Sequence, residues 1–340
     1  MDRIDRILKH TDTNGHGIEV APYHKPILKK KDAPNLLILD VFDTETLRSK
    51  AKADPLISDS KRTQIEEVDL VGDACDIAML LEKTGQAGEI DFILSSHNFE
   101  HLPDPIRFLQ GCSKALRPGG TLSMAIPDYR CCFDHFRFPT RLSDWLTAFH
   151  SSPKRPSPAT IFDANANQVR FLYGDFQDMT TTLDRRVAPE AVLCFDIEGE
   201  YRRFQKELED PEPYTDTHCN ILIPELFELY LRDLSYLGLV DFEVVEISQT
   251  HGIEFFAHLK KQTTHSKPTA EEYQKTRARL LRSVSEQLGS AAFGQKSLAA
   301  DASPVDKIRR VARSVIGTRA VDAVRSWNRQ RRLNRKERKA

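Results

Sequence analysis

In the stretch Asp91-Phe-Ile-Leu-Ser-Ser-His-Asn-Phe-Glu-His-Leu-Pro-Asp104, continued by Leu116-Arg-Pro-Gly-Gly120 and Ala125-Ile-Pro-Asp128, several local signals follow one another closely. Ile90 to Ser95 is a short apolar run of strand length. Pro105 to Leu116 places Ile106, Leu109, Cys112 and Leu116 on one helical face, with proline near the start where its missing N–H costs nothing. Arg117-Pro-Gly-Gly120 reads as a turn, and Thr121 to Ile126 as the next strand. Strand, helix, turn and strand at this spacing predict a parallel βαβ unit with a right-handed crossover.

Working outward from this unit, residues 1–16 suggest a short amphipathic helix with Ile4, Ile7 and Leu8 on one side. Gly17 to Ala21 gives a short strand. Leu36-Leu-Ile-Leu-Asp40 has the look of a strand buried on both faces. Thr44–Lys52 and Asp76–Lys83 read as helices, and Ile65–Leu70 as a third strand. From Asp128 to about Thr217 prolines, aromatics and charges mix without a steady period, although Leu142–Phe149 and Glu190–Leu208 suit helices. This region reads as a lid or acceptor-binding insertion. Pro224–Leu237 is an amphipathic helix. Val240–Ser248 and Ile253–Leu259, joined by Thr250-His-Gly252, predict an antiparallel hairpin closing the sheet. The expected parts are an N-terminal helix (1–16), a core (17–130), the insertion (131–217), the rest of the core (218–260) and a basic helical tail (261–340).

The 340 residues carry a formal net charge of -1, which names no partner. That balance hides a contrast, because 13 Lys or Arg face four Asp or Glu from Asp301 onward. Within that tail Ile308, Val311, Val315, Val324 and Trp327 recur at helical spacing among arginines. Residues 305–340 are therefore expected to favour an anionic membrane surface. Packing on the domain and disorder are open alternatives, and no groove-reading motif points to nucleic acid. None of the six cysteines forms a Cys-x-x-Cys pair, so no metal site is expected. An apolar leader is missing, and so is any apolar run approaching the roughly 20 residues of a membrane span. The expectation is a cytoplasmic protein, peripheral at the inner membrane face through its tail.

In open parallel α/β sheets, ligands bind beyond the carboxyl ends of the strands. Polar residues recur there: Glu19, Asp40, Asp69 and Asp73, Ser95-Ser-His-Asn98, and Pro127-Asp128. An acid closing the second strand can accept hydrogen bonds from two ribose hydroxyls, which makes Asp40 a nucleoside-binding candidate; the plain alternative is a solvated carboxylate. Taken together, Asp91–Asp104, Leu116–Gly120 and Ala125–Asp128 resemble the fourth and fifth strands of class I S-adenosylmethionine-dependent methyltransferases. The resemblance is greatest to a bacterial subgroup associated with surface-polysaccharide gene clusters. That subgroup carries stretches similar to Gly17-Ile-Glu-Val-Ala-Pro22, Pro127-Asp-Tyr-Arg-Cys-Cys-Phe-Asp134 and Asp216-Thr-His218. The likeness spans roughly residues 17 to 260.

The resemblance implies a Rossmann-like seven-stranded sheet with its last strand antiparallel, and S-adenosyl-L-methionine as cofactor. It places Glu19 and the turn through Ala21 beside the methionine moiety, Asp40 on the ribose, Asp69 or Asp73 near the adenine, and Ser96 and His97 near the transferring methyl group. This chain departs from the family at Ala21, where glycine is usual. Methyl transfer to a hydroxyl also needs a proton acceptor, for which histidine is suited. His97, His135 and His218 are the candidates; His101 reads as a helix-entry hydrogen bond. Arg130, Arg137, Arg141, Lys154 and Arg155 suit either a clamp for phosphate or acidic sugar or a solvated basic face. From the resemblance, the acceptor is expected to be a hydroxyl of a glycan or glycolipid precursor. Two other readings stay open: a catalytically silent scaffold of this fold, and a nucleic-acid-associated methyltransferase using the basic tail.

Overall fold

The computed structural model describes residues 1–173, 176–179, 190–212, 215–263 and 267–292. Five parallel strands come first: β1 (Gly17–Val20), β2 (Leu36–Asp40), β3 (Leu70–Val71), β4 (Ile90–Ser96) and β5 (Leu116–Pro127). Three short strands follow in the insertion, β6 (Val169–Tyr173), β7 (Phe176–Met179) and β8 (Glu190–Leu193), and then β9 (Phe242–Ile247) and β10 (Glu254–Lys261). The main sheet has the order β3-β2-β1-β4-β5-β10-β9, with β10 antiparallel to both neighbours. This is the Rossmann-like methyltransferase sheet, closed by the expected hairpin.

Both faces of the sheet are buried, as the continuous apolar strands require. Along β4 the side chains alternate: Ile93 joins a large core with Leu39, Phe108 and Leu109, while Phe92 and Leu94 pack on the other face with Ile38, Ala125 and Phe256. Gly17 is fixed by this packing, because a Cβ there would lie 2.0 Å from the Phe92 ring. The expected third strand over 65–70 shrinks to Leu70–Val71. Ile65 turns instead into a small cluster with Leu47, Ala51 and Ile57. Arg117–Gly120 is likewise no separate turn; it is the irregular start of β5, with Gly119 at φ 79° and a register shift against β4.

The helices are α1 (Arg3–Ile7), α2 (Thr44–Ala53), α3 (Asp59–Arg62), α4 (Ile77–Glu82), α5 (Pro105–Ala115), α6 (Leu142–Ser151), α7 (Pro158–Ala166), α8 (Ile197–Glu209), α9 (Pro224–Tyr236) and α10 (Ala270–Ala292). The N-terminal helix is shorter than expected, but its Ile7 is fully buried and Lys9 and His10 reach Glu246 of β9. The expected helix over 190–208 divides into β8 and α8, because the Asp196 side chain accepts the Gly199 N–H and starts the helix there. The insertion is anchored by Trp145 of α6, which is buried edge-on against Phe99, Phe227 and Tyr230. The start of the expected tail folds onto the body: α10 buries Tyr273, Leu280 and Val284, and both Tyr273 and Arg277 bond Asp233 of α9. Residues 305–340 lie outside the described residues. No described helix is long and apolar enough to cross a membrane, and all six cysteines carry free thiols.

One core group gives the fold a pH dependence. His258 of β10 is buried, with Nδ1 2.9 Å from Ser123 Oγ and the His10 ring edge-on at 4.8 Å. Burial, aided by the charge of His10, pulls its pKa down to about 4, against 6.5 ordinarily. The unfolded chain therefore takes up a proton first on acidification. Stability from this group is fully present above pH 6.5 and is lost as pH falls to about 4, on the order of 2–3 kcal/mol in total. His258→Gln is expected to flatten the fall in Tm across that window; parallel Tm curves for variant and wild type would rule this out.

Candidate active site

The parallel strands bring their carboxyl ends to one rim. Ala21 follows β1, Asp40 ends β2, Asp73 lies two residues past β3, and Ser96 ends β4 with His97 next. Glu19 shapes the first loop from below. Its buried carboxylate accepts the N–H of Ile27 at 2.6 Å and of Leu28 at 3.1 Å, and burial raises its pKa to about 7 against those bonds. Ala21 sits at φ 49° and Tyr23 at φ 47°, so the loop takes the left-handed backbone that glycine favours. For alanine this costs about 1–2 kcal/mol. Ala21→Gly is expected to stabilise the fold by a net of about 0.5–1 kcal/mol after glycine's extra chain entropy, read by urea denaturation. A lower midpoint for the variant would contradict the strain.

Asp40 is buried and accepts the Phe42 N–H at 3.0 Å. Beside it stand Val41 and Val71, 49% and 51% exposed, at adjacent ends of β2 and β3. Asp73 accepts the Cys75 N–H at 2.9 Å. Asp69 does not reach the rim: it enters β3, where its carboxylate accepts the Ile38 N–H and pairs with Lys30. At the end of β4, the Ser96 hydroxyl accepts from Arg3 at 2.7 Å. His97, at φ 50°, is held between two carboxylates, with Nε2 2.8 Å from Glu254 and Nδ1 3.3 Å from Glu100. Burial disfavours its charge, but the two carboxylates override burial and raise its pKa to about 9. His97 is thus protonated at neutral pH, which removes it as a free base. His135 turns Nδ1 to the Arg130 carbonyl at 2.8 Å and packs edge-on to Phe171.

Distant motifs converge beside this rim. The backbone N–H groups of Cys219 and Asn220 donate to the Glu100 carbonyl, and the Asn220 side chain donates to the carbonyls of Phe99 and Leu102. The Asp216–His218 segment is thereby fastened across the turn after β4. His218 Nδ1 lies 2.6 Å from Asp134 Oδ2, and Arg137 donates to Asp134 Oδ1 and to the His218 carbonyl. His101 Nδ1 lies 2.8 Å from Asp216, and the His101 and His218 rings meet edge to face at 4.6 Å. A carboxylate against Nδ1 fixes the tautomer that carries its proton there and leaves Nε2 as the acceptor. Glu100, fully buried, faces both histidines; burial opposes its charge, but the surrounding histidines hold its pKa below the usual value.

Residues 7–167 match the family model described as a methyltransferase domain. The match covers just under half of the chain, and over that part the chain is similar to methyltransferase domains. No curated protein matches. Among solved structures, it is similar to an S-adenosylmethionine-dependent methyltransferase from Mesorhizobium loti (9% identity, TM-score 0.36, covering 75% of this chain and 95% of that one). It is also similar to a possible histamine N-methyltransferase from Thermotoga maritima (12%, TM-score 0.36, 76% and 87%). A possible exported protein from Bordetella parapertussis aligns at 14% and TM-score 0.35, with 76% of this chain against 66% of that one. Likeness at this level reaches neither site nor substrate.

The rim fits the expected cofactor in kind: a buried acid for the ribose, two half-exposed valines and Asp73 for the base, and a left-handed first loop. The five basic residues of the insertion do not gather into a clamp. Arg130 pairs with Asp128, Arg137 with Asp134 and Asp163, Arg141 with Asp144, Lys154 with Asp76 and Arg155 with Glu207. The residues that sequence reasoning passed over are Glu100 and His101. Their adjacency was visible, but their partners Asp134, Asp216 and His218 come from other segments.

Proposed function

We propose that this chain transfers the methyl group of S-adenosylmethionine to a hydroxyl of a glycan or glycolipid precursor, and that the acceptor loses its proton at the Glu100–His101–His218 cluster. The cofactor supplies the electrophilic methyl group. Asp40 holds the ribose, Asp73 and the valines flank the adenine, and the loop braced by Glu19 takes the methionine moiety. The observation that carries the reading is the Asp134–His218 pair, a histidine with its tautomer set by a buried carboxylate, packed against the turn that leaves β4. Oriented groups of this kind supply about 10²–10⁴-fold through proton transfer. The glycan class rests on the sequence resemblance, supported by aromatic side chains that the insertion exposes, among them Phe136 and Phe138. The basic segment 305–340 would hold the enzyme at an anionic surface, where a lipid-linked acceptor lies.

The test is incubation of full-length protein with methyl-labelled S-adenosylmethionine and a bacterial glycolipid extract. Label is expected in an alkali-stable methyl ether of the glycan fraction. Label in nucleic acid, or in no fraction, would overturn the assignment. Replacing the tail arginines by glutamine is expected to abolish sedimentation with anionic vesicles while leaving transfer to a soluble acceptor intact; sedimentation equal to wild type would remove the membrane role.

A further inference from the structure

We infer that Glu100, His101 and His218 form a binding site for a divalent transition-metal cation of the zinc class. The inference rests on the placing of the acceptor at this cluster and changes how it works there: with the ion bound both imidazoles are ligands, and the acceptor hydroxyl would lose its proton to solvent because the cation lowers its pKa. One donor atom from each residue lies within 4.8 Å of the others. Two further observations turn the cluster into a site. First, Oε2 of the fully buried Glu100 meets no hydrogen-bond donor among the described residues, and Oε1 has His97 Nδ1 at 3.3 Å, outside good hydrogen-bond geometry. A buried carboxylate oxygen without a donor is costly, and a cation between Glu100 and two imidazoles would supply the missing partner. Second, His218 has a carboxylate of its own hydrogen-bonded at Nδ1, Asp134, and Asp216 stands at ion-pair distance from His101 Nδ1 without hydrogen-bond geometry. Carboxylate–histidine–metal relays of this form fix the ring and free Nε2 for the ion; His101 Nε2 stands 3.9 Å from Glu100 Oε1.

Two imidazoles and one carboxylate with an open position form a donor set suited to zinc and its neighbours in the transition series. Zinc bonds of about 2.0–2.2 Å need donors roughly 3.4 Å apart, so the present spread closes by side-chain rotation. Asp216 is 68% exposed on its side chain, which opens the cluster to solvent and to an entering hydroxyl. A second grouping, Cys132, Asp134 and His218, overlaps the first, but Asp134 is already engaged by Arg137 and His218. Glu100 is therefore the better placed ligand for a cation. The cysteine spacing that argued against metal in the sequence has no bearing on this site, whose ligands are not cysteines.

The test uses full-length protein dialysed against EDTA and titrated calorimetrically with ZnCl2, with MgCl2 as control. One zinc per chain is expected at micromolar affinity or tighter. Glu100→Gln, which preserves volume, is expected to weaken binding at least 10-fold, as is Asp134→Asn through loss of the relay, while Cys132→Ser binds as wild type. Zinc affinity unchanged by Glu100→Gln, or lost with Cys132→Ser, would overturn the site. S-adenosylmethionine binding and methyl transfer are measured on the same samples. Transfer by protein that binds no zinc would sink the metal site and leave the proposed function standing; zinc binding without cofactor binding would do the reverse.

Discussion

Replacing His218 by alanine is expected to lower kcat for methyl transfer about 10²–10⁴-fold while changing the cofactor Kd less than twofold. In the proposed arrangement the imidazole, with its Nδ1 on Asp134, stands on the acceptor side, and the cofactor contacts stand at the ends of β1, β2 and β3. The companion variant Asp134→Asn leaves the ring in place but removes the charge that fixes its tautomer, and a loss of the same order is expected. Because Asp134 also neutralises buried Arg137, that variant will lose stability too, by up to about 3–5 kcal/mol if the charge is left uncompensated. Thermal denaturation alongside kinetics separates the two effects: His218→Ala is expected to stay folded at the assay temperature. Activity of folded His218→Ala within about threefold of wild type would show that the acceptor proton leaves elsewhere.

Asp40→Ala is expected to weaken S-adenosylmethionine binding roughly 100-fold or more, since two hydrogen bonds from ribose hydroxyls to a carboxylate are worth about 1.5–3 kcal/mol each. The carboxylate sits where β2 ends, buried, with the Phe42 N–H as a bonded neighbour. Asp40→Asn keeps the shape and one acceptor oxygen, so an intermediate loss is expected. A Kd for Asp40→Ala within threefold of wild type would place the ribose elsewhere on the rim.

Much of the sheet was legible because its strands are short apolar runs bounded by breakers, and because Pro105 to Leu116 keeps a clean helical face. The late hairpin was legible for the same reason. The insertion was not: β6, β7, β8 and α7 run only four to nine residues, too short for a period to accumulate. Helix α10 falls in the stretch read as a helical tail; its docking was not legible, because Tyr273, Leu280 and Val284 are diluted among charges and its attachment depends on Asp233 of another helix. For the rim, strand-end reasoning placed Asp40, Asp73, Ser96 and His97 at or just beyond strand ends, where the structure has them. It placed Asp69 at the rim, whereas β3 begins only at Leu70, so Asp69 stands at the strand's entry. The two carboxylates beside His97 were not legible as its partners, since Glu254 reaches it from a distant strand. Local sequence carries no record of such long-range ion pairs. The Glu100–His101–His218 cluster was hidden for the same reason.

The central claim is that this rim binds S-adenosylmethionine, and calorimetric titration of the cofactor into full-length wild-type protein tests it most directly. One site per chain with a micromolar Kd, weakened by Asp40→Ala, is the expected result. No binding heat up to millimolar cofactor would contradict it and leave the methyltransferase sheet as a scaffold.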